Sequence, residues 1–219
     1  MGTRLWKCVT RGKPVRFPDK PYSDLGEYAR DYADRLLAAI RSVDAEQLKA
    51  AARLLENAYG NGRRVYVCGN GGSAAIAEHF SCDHLKGIAT GTPLMPRVFS
   101  LASNVALSTA ISNDLGYAEV FSYPLRSLAE KDDVVVVISS SGDSENVVRA
   151  LMWARENGVK SIAFTGFDGG RARKLADLSL HIDAHNYGLV EDSHQALMHI
   201  LAQYLRQGRL SGAVGNTKF

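Results

Sequence analysis

The stretch from Val65 to Gly87 constrains the fold most, because it joins an apolar run, a glycine-rich turn and a helix. It reads VYVCGNGGSAAIAEHFSCDHLKG. The apolar run at 65–68 is typical of a buried parallel strand, and the glycines that follow let the backbone approach a ligand closely. A helix beginning at Ser73 would offer free N–H groups and a partial positive charge to an anion. The sequence therefore predicts an α/β fold with an anion site at this turn.

Length and composition predict a single globular domain. The chain has 219 residues, of which 46% are hydrophobic and 22% are charged, which is enough for a full core. We expect no membrane span, since no run of about 18 apolar residues occurs. The amino terminus lacks the apolar segment of a secretory signal. Three cysteines without metal-ligand spacing fit reduced thiols in a cytoplasmic protein.

The formal net charge of +3 is concentrated near the amino terminus. Residues 1–22 carry six basic side chains and one acidic one, a balance of +5, which leaves −2 for the rest of the chain. Three prolines and no hydrophobic period predict an irregular basic arm over 1–22, ahead of one domain over 23–219. A basic tail can bind nucleic acid. Aromatic residues and prolines interrupt this one, so a solvated or partner-packed arm is the favoured interpretation and no nucleic-acid partner is expected.

Strands and helices alternate along the predicted domain. The run at 133–138 is the clearest buried strand, because it is apolar and β-branched. This alternation predicts a parallel sheet with helices on both faces, a three-layer αβα sandwich. We predict strands at 65–68, 97–101, 133–138, 161–165 and 178–182, and helices at 23–43, 44–59, from 73 onward, at 104–111, at 118–128, from 144 to 157 and at 189–207.

A second polar turn, SSSGDS from Ser139 to Ser144, follows the strand at 133–138. Ligands of open parallel sheets bind beyond the carboxyl ends of the strands. Serine hydroxyls and backbone N–H groups can surround a phosphate without any lysine or arginine. Serine and glycine are also common in ordinary turns and caps. Four serines directly after an apolar strand favour a phosphate site.

A nucleotide is the weaker ligand prediction. The segment 69–74 does fit the dinucleotide pattern G-x-G-x-x-A. The next strand, however, ends in Leu101-Ala102-Ser103-Asn104, without the acidic residue that a ribose diol requires. The phosphate-loop pattern that ends in Gly-Lys-Ser/Thr is absent from the sequence as well.

Histidines and carboxylates lie on two predicted helices. His79 and Asp83 are one turn apart and share a face, and Glu191 and His199 of the last helix roughly share another. Two imidazoles and two carboxylates could bind a divalent metal such as zinc. Each residue alone is better explained as a helix-surface side chain. Collected beside a phosphate site, they would form a metal site or an acid–base pair.

These motifs resemble the sugar isomerase (SIS) domain family and, within it, the phosphoheptose isomerases. The resemblance spans about residue 24 to the carboxyl terminus. The motif GNGGSAA alone would indicate only the wider superfamily. The residues that carry the resemblance are GNGGSAA (69–75), His79, SNDLGY (112–117), SSSGDSENV (139–147), TGFDGG (165–170) and His199.

The resemblance implies a five-stranded parallel sheet with flavodoxin-like order and a homotetramer with its sites at subunit interfaces. It also implies conversion of the sugar-phosphate substrate sedoheptulose 7-phosphate to D-glycero-D-manno-heptose 7-phosphate, with one zinc ion per subunit. By position, Asn70 and Asp114 would lie near the sugar chain. The resemblance places the phosphate at Ser73, Ser139, Ser140, Ser141 and Ser144, counts Gly71, Gly72 and Glu191 among the substrate-binding residues, and makes His79, Asp83, Glu191 and His199 the zinc ligands.

Two positions depart from the family pattern. Asp83 stands where the family usually has Glu, which keeps the carboxylate but shortens its reach by one methylene. Glu191 stands where the family usually has Gln, which adds a negative charge that should strengthen zinc binding and weaken the Lewis acidity of the ion. These departures bear on the exact substrate more than on the reaction class.

The expected reaction is an aldose–ketose isomerisation through a cis-enediol. Asp83, or failing it Glu191, would remove the proton from the carbon beside the carbonyl, and His199 would exchange the proton on oxygen. Two alternatives stay open from the sequence. One is an isomerase of a different sugar phosphate, and the other is a non-catalytic SIS protein that binds a sugar phosphate as a regulator.

Overall fold

The structure, a computed structural model, describes residues 14–212 together with 214 and 217. The first thirteen residues of the predicted basic arm lie outside the described residues. Within the described part, none of the helices combines the length and the apolar character needed to cross a membrane.

The five strands form one parallel sheet. They are β1 (Arg64–Gly69), β2 (Arg97–Ser100), β3 (Val134–Ser139), β4 (Lys160–Thr165) and β5 (Leu178–His181). Their order is β2-β1-β3-β4-β5, which is the flavodoxin-like order that the sequence resemblance implied. Gly69 lies opposite Ile138 and Ser139 lies opposite Thr165, so β1, β3 and β4 end at the same edge. Both the fold class and the predicted strands are confirmed.

Helices cover both faces of this sheet. Val65 and Val67 of β1 point to one face, in the hydrophobic cluster that also holds Phe80 and Leu189. Tyr66 and Cys68 point to the other face, with Leu125 and Leu151. The three-layer αβα sandwich is therefore confirmed. Its helices are α1 (Leu25–Arg41), α2 (Ala45–Gly60), α3 (Gly72–Cys82), α4 (Val105–Asp114), α5 (Ser122–Leu128), α6 (Glu145–Glu156), α7 (Ala172–Leu175) and α8 (Tyr187–Gln207).

Two short elements were not predicted. A π-helical segment, Asp83–Ile88, continues α3 directly, and α7 contains only four residues. Segments of this length are too short to show a hydrophobic period. Asp44 caps α2, because its carboxylate accepts hydrogen bonds from the backbone N–H groups of Glu46 and Gln47.

Residues 14–22 of the predicted arm pack against the domain. Val15 donates its N–H to the Asp183 carbonyl at 2.8 Å. Phe17 is buried, with its ring edge-on to those of Tyr28 and Tyr32. This part of the arm therefore contributes to the core beside α1, while the domain boundary at residue 22 stays a prediction.

His194 makes stability depend on pH. It is fully buried on α8 beside the Phe164 ring. Burial lowers the pKa of His194 to about 4, against a smaller upward effect of the Thr165 backbone. The histidine of the unfolded chain keeps a pKa near 6.5. As the pH falls, the unfolded chain therefore binds this proton at a higher pH than the folded protein does. His194 weakens folding by a few kcal/mol, at most about 3, as the pH falls from about 6.5 to 4.

We predict that His194→Leu flattens this dependence. The free energy of unfolding, measured by urea denaturation at pH 7.5 and pH 4.5, should fall less in the variant than in the wild type, by about 1–3 kcal/mol. Met198→Leu, a substitution at a buried position of the same helix without a titrating group, should keep the wild-type difference. An unchanged pH dependence in His194→Leu would contradict the assignment.

Candidate active site

The two polar turns predicted from the sequence meet at the carboxyl edge of the sheet. The glycine turn (69–72) follows β1, and the serine turn (139–144) follows its neighbour β3. Between them lies a cavity of about 160 Å³, here called the serine pocket. It is lined by Asn70, Ser73, Ile138, Ser139, Ser140, Ser141, Ser144, Tyr187 and Glu191.

Ser140 shows that the serine pocket suits a polar ligand. Its side chain is buried, and its Oγ has no hydrogen-bond partner among the described residues. Leaving a buried hydroxyl without a partner costs about 1–3 kcal/mol. Ser139 Oγ, by contrast, accepts a hydrogen bond from the N–H of Gly142 at 3.1 Å. The turn thus holds its own shape with one hydroxyl and leaves another available to a ligand.

The loop after β4 holds the serine turn in place. Gly142 adopts φ +71°, and a Cβ there would lie 2.1 Å from the Gly169 carbonyl oxygen. Arg171 donates to Asp143 Oδ1 from both its backbone N–H and its Nε, at 3.0 and 3.1 Å. Gly170 of the motif TGFDGG is explained by the same packing, because a Cβ there would lie 2.6 Å from the carbonyl carbon of Gly142.

A pair of asparagines connects the glycine turn to the start of α6. Asn70 Nδ2 donates to Asn146 Oδ1 at 3.0 Å, and Asn146 Nδ2 donates back to Asn70 Oδ1 at 2.9 Å. The Tyr117 hydroxyl donates to the same Asn70 oxygen at 2.7 Å. Sequence analysis quoted the motifs that contain Asn146 and Tyr117 but did not single out either residue, because nothing local shows that they contact Asn70.

His79, Asp83 and His199 form a second polar group, here called the histidine–aspartate cluster. His79 lies near the end of α3, Asp83 begins the π-helical segment, and His199 lies on α8. His79 Nε2 is 3.4 Å from Asp83 Oδ1, and His199 Nδ1 is 2.9 Å from Asp83 Oδ2. One carboxylate thus faces both imidazoles.

The histidine–aspartate cluster fits a divalent metal ion. Each residue offers a ligand atom, and these atoms lie within 4.8 Å of one another. Tetrahedral zinc, with bonds of about 2.0–2.2 Å, places its ligand atoms roughly 3.3 Å apart. The 3.4 Å between His79 Nε2 and Asp83 Oδ1 is close to this value. Catalytic zinc sites use such sets of imidazoles and a carboxylate and keep one position open.

Glu191 lies apart from the cluster. It lines the serine pocket, and a Cβ at Gly72 would come 2.6 Å from its Oε2. Eight residues separate it from His199, which is about 12 Å along a helix. Of the four predicted zinc ligands, the described chain therefore brings three together and leaves Glu191 beside the serines. Its role as a ligand stays a prediction.

Asp114 is likewise outside the serine pocket. It is exposed at the end of α4, where its Oδ1 accepts a hydrogen bond from Asn113 Nδ2 at 2.8 Å. Gly71 and Gly72 lie in the glycine turn beside the pocket, where the sequence placed them. The predicted role of Asp114 at the sugar chain therefore has no counterpart within one described chain and stays a prediction.

Sequence analysis missed two side chains of α8. Tyr187 lines the serine pocket, and Gln195 contacts both imidazoles of the cluster. Tyr187, Glu191, Gln195 and His199 follow one another at intervals of four residues, which places them on one stripe of the helix. This spacing is the sequence signal that could have identified Tyr187 and Gln195, but the prediction used helical spacing only for the histidines and carboxylates.

A larger cavity, of about 380 Å³, lies at the opposite edge of the sheet. Arg63, Asp132 and Lys160 line it, at the points where β1, β3 and β4 begin. In open parallel sheets the ligands bind at the carboxyl ends of strands, so the serine pocket is the better candidate despite its smaller volume.

Comparison with known proteins defines the class first. The SIS domain family matches residues 27–166, which is more than half of the chain. The phosphoheptose isomerase of Geotalea uraniireducens is 35% identical over 182 residues, covering 83% of this chain and 95% of that protein. The structure of phosphoheptose isomerase GmhA from Neisseria gonorrhoeae has a TM-score of 0.76 and 30% identity, covering 84% of this chain and 100% of that one. A phosphoheptose isomerase structure from Francisella tularensis has a TM-score of 0.76 and 29% identity to this chain.

The chain belongs to the phosphoheptose isomerase group of the SIS domain family. It is accordingly an enzyme, an isomerase that acts on a sugar phosphate. Both the resemblance stated from the motifs and the predicted enzyme class are confirmed.

We predict that Gly142→Ala destabilises the protein by roughly 2–4 kcal/mol, because a positive φ and a backbone overlap act together. Gly62→Ala is the matched control, since Gly62 also has a positive φ, of +65°, but a Cβ there meets nothing within 4 Å. The control should cost about 1 kcal/mol. Urea denaturation of the two variants gives the comparison, and equal losses would refute the close packing described for the serine turn.

Proposed function

We propose that this protein converts sedoheptulose 7-phosphate to D-glycero-D-manno-heptose 7-phosphate. One observation carries the proposal: α8 contributes both to the serine pocket, through Tyr187 and Glu191, and to the histidine–aspartate cluster, through His199. A site for a phosphate and a site for proton transfer therefore share one helix face. The relatives named phosphoheptose isomerase support the seven-carbon substrate.

The serine pocket holds the substrate phosphate in this proposal. Neither lysine nor arginine is among the described residues that line it, so hydroxyls and backbone N–H groups have to bind the anion. Asn70, Gly71 and Gly72 position the sugar chain at the turn before α3. The serines assigned to the phosphate are Ser73, Ser139, Ser140, Ser141 and Ser144.

The histidine–aspartate cluster performs the proton transfers. Asp83 takes the proton from C1 of the ketose and returns it to C2, while His199 gives a proton to the C2 oxygen and takes one from the C1 oxygen. The cis-enediol is the intermediate. The two groups that exchange these protons are neighbours, since His199 Nδ1 and Asp83 Oδ2 are 2.9 Å apart.

A zinc ion held by His79, Asp83 and His199 would polarise the carbonyl and stabilise negative charge on its oxygen, and His199 would then exchange protons through the ring nitrogen that does not hold the ion. The carboxylate of Asp83 has two oxygens, so one can hold the ion while the other accepts the proton. Glu191 would stay at the pocket end of the site in this arrangement.

The proposal extends to a cytoplasmic homotetramer with its sites at subunit interfaces. Leu115 and Tyr117 have exposed side chains, and the Tyr117 hydroxyl contacts Asn70 at the glycine turn. Asp114 directly precedes these two residues in the chain. A neighbouring subunit could cover this surface and bring further groups to the serine pocket. Cys68 and Cys82 are free thiols, as a reducing compartment favours.

The decisive experiment supplies ketose phosphates of five, six and seven carbons to the enzyme in deuterated water. Passage through an enediol with solvent exchange adds one deuterium to the product, which mass spectrometry detects, and NMR identifies the aldose. We expect conversion of sedoheptulose 7-phosphate above the others, and a chelator should suppress it. If the enzyme prefers a shorter sugar phosphate, that compound and not sedoheptulose 7-phosphate is the substrate. If it binds these sugar phosphates but converts none of them, the protein is a regulator.

We predict that Asp83→Asn lowers kcat by roughly 10²- to 10⁴-fold, because the amide cannot accept the carbon-bound proton. Binding of inorganic phosphate, measured by calorimetry, should change by less than about twofold, since the serine pocket is separate. Asp132→Asn, at the opposite edge of the sheet, is the control and should keep full turnover. Normal turnover by Asp83→Asn would remove the assigned base.

Glu191 gives a second prediction, because its carboxylate lines a pocket proposed to bind phosphate. Glu191→Gln should tighten inorganic phosphate binding by about fivefold, the effect of removing roughly 1 kcal/mol of repulsion between partly solvated charges. The gain should shrink at high salt. Glu191→Asp keeps the charge and should not show it. Weaker phosphate binding by Glu191→Gln would indicate that the carboxylate assists binding instead.

A further inference from the structure

Gln195 connects the two histidines of the cluster through a single amide group. It lies on α8, one turn before His199, and its side chain is half-buried. Gln195 Nε2 is 2.9 Å from His79 Nδ1 and 3.0 Å from His199 Nε2. The amide therefore joins imidazoles that belong to two different helices.

These contacts close a ring of four side chains. Each imidazole has one nitrogen at Gln195 and its other nitrogen at Asp83: the distances to the carboxylate are 3.4 Å for His79 Nε2 and 2.9 Å for His199 Nδ1. The two rings lie 4.9 Å apart at an angle of 83°. Neither ring can turn over without losing contacts on both sides, so the ring of contacts fixes the orientation of both histidines.

We propose that Gln195 is a positioning residue of the active site, which donates to His79 and His199 in the metal-free cluster, accepts from them when a divalent metal is bound, and thereby holds both rings in position for the metal. The inference rests on the proposed function only for its role in turnover, since the contacts that carry it concern the metal site alone. Neither the motifs nor the family resemblance assigns a role to this residue.

The chemistry of the four groups leads to the tautomers. An ionised carboxylate only accepts hydrogen bonds, so the ring nitrogens that face Asp83 carry the hydrogens. In a neutral imidazole the other nitrogen is then an acceptor. The two N–H bonds of the Gln195 amide supply one donor to each ring. The metal-free cluster therefore holds His79 with its hydrogen on Nε2 and His199 with its hydrogen on Nδ1.

The Gln195 amide also suits the cluster with a bound metal, once the amide group has rotated by half a turn. Once the nitrogens beside Asp83 serve as ligands, each neutral imidazole carries its hydrogen on the nitrogen beside Gln195, without net loss of a proton. The carboxamide then presents Oε1, whose two lone pairs accept one hydrogen bond from each ring. Partners of this kind orient metal-binding histidines, and their loss typically weakens metal affinity about 10- to 100-fold.

Substitutions at this position separate the roles of donor and acceptor. Leucine is similar in size and offers neither, so Gln195→Leu should weaken zinc affinity about 10- to 100-fold in competition with a chromophoric chelator. Glutamate offers acceptors only, so Gln195→Glu should bind zinc at least as tightly as the wild type. Gln203→Leu, at an exposed position two turns further along α8, is the matched control and should leave the affinity unchanged.

A spectroscopic measurement tests the tautomers without metal or turnover. In the metal-free protein, ¹⁵N NMR of the histidine rings should show a single tautomer for each of the two residues. Gln195→Leu should populate the other tautomer in part, because Asp83 alone then favours the first one. Circular dichroism and thermal denaturation of all variants verify that they fold. Unchanged tautomers together with unchanged zinc affinity in Gln195→Leu would overturn the proposal. Equal weakening in Gln195→Glu and Gln195→Leu would overturn the acceptor role.

Turnover by the wild type distinguishes this inference from the proposed function. If zinc affinity depends on Gln195 but no ketose phosphate is converted, the proposed function fails and the positioning role stands. If sedoheptulose 7-phosphate is converted while zinc affinity and tautomers are indifferent to Gln195, the positioning role alone fails.

Discussion

The parallel pairing of β1 with β3 is the constraint on which the rest of the site depends. Gly69 lies opposite Ile138, so the glycine turn and the serine turn leave the sheet side by side. The serine pocket has no lysine or arginine among the described residues that line it, so an anion bound there would depend on short-range hydroxyl and N–H contacts. Such contacts tolerate no change in strand register. The unbroken apolar run of β3, buried along its length, is therefore a condition for ligand binding as well as for stability.

A second convergence is independent of the sheet register. Helices α3 and α8 share one face of the sheet, and Ile76, Phe80 and Leu197 all belong to its hydrophobic cluster. This packing brings Asp83 to His199 across 116 residues of sequence, with His79 one helical turn before Asp83. The hydrophobic contacts supply the free energy that positions the polar groups, because partly exposed hydrogen bonds contribute little by themselves. Core and active site are thus coupled through the two helices.

Sequence reasoning succeeded where the signal is periodic or local. The buried strands, the two polar turns and the helical pair His79 and Asp83 were all predictable from runs and spacings. It could not find Asn146, because the contact of that residue with Asn70 joins two turns that are distant along the chain. It placed Glu191 and His199 on one face of the last helix but could not show that Glu191 lines the serine pocket, since the rise along the helix separates residues that share a face.

One stripe of side chains on α8 connects the serine pocket to the histidine–aspartate cluster. Tyr187 and Glu191 lie at the serine pocket, Gln195 contacts both imidazoles, and His199 faces Asp83. About 12 Å of helix separates Glu191 from His199, which is the scale of an extended seven-carbon sugar phosphate. A ligand held by its phosphate at one end would therefore present its carbonyl end to the cluster at the other. The spacing of four residues, repeated three times on one helix, thus fixes the distance between the serine pocket and the histidine–aspartate cluster.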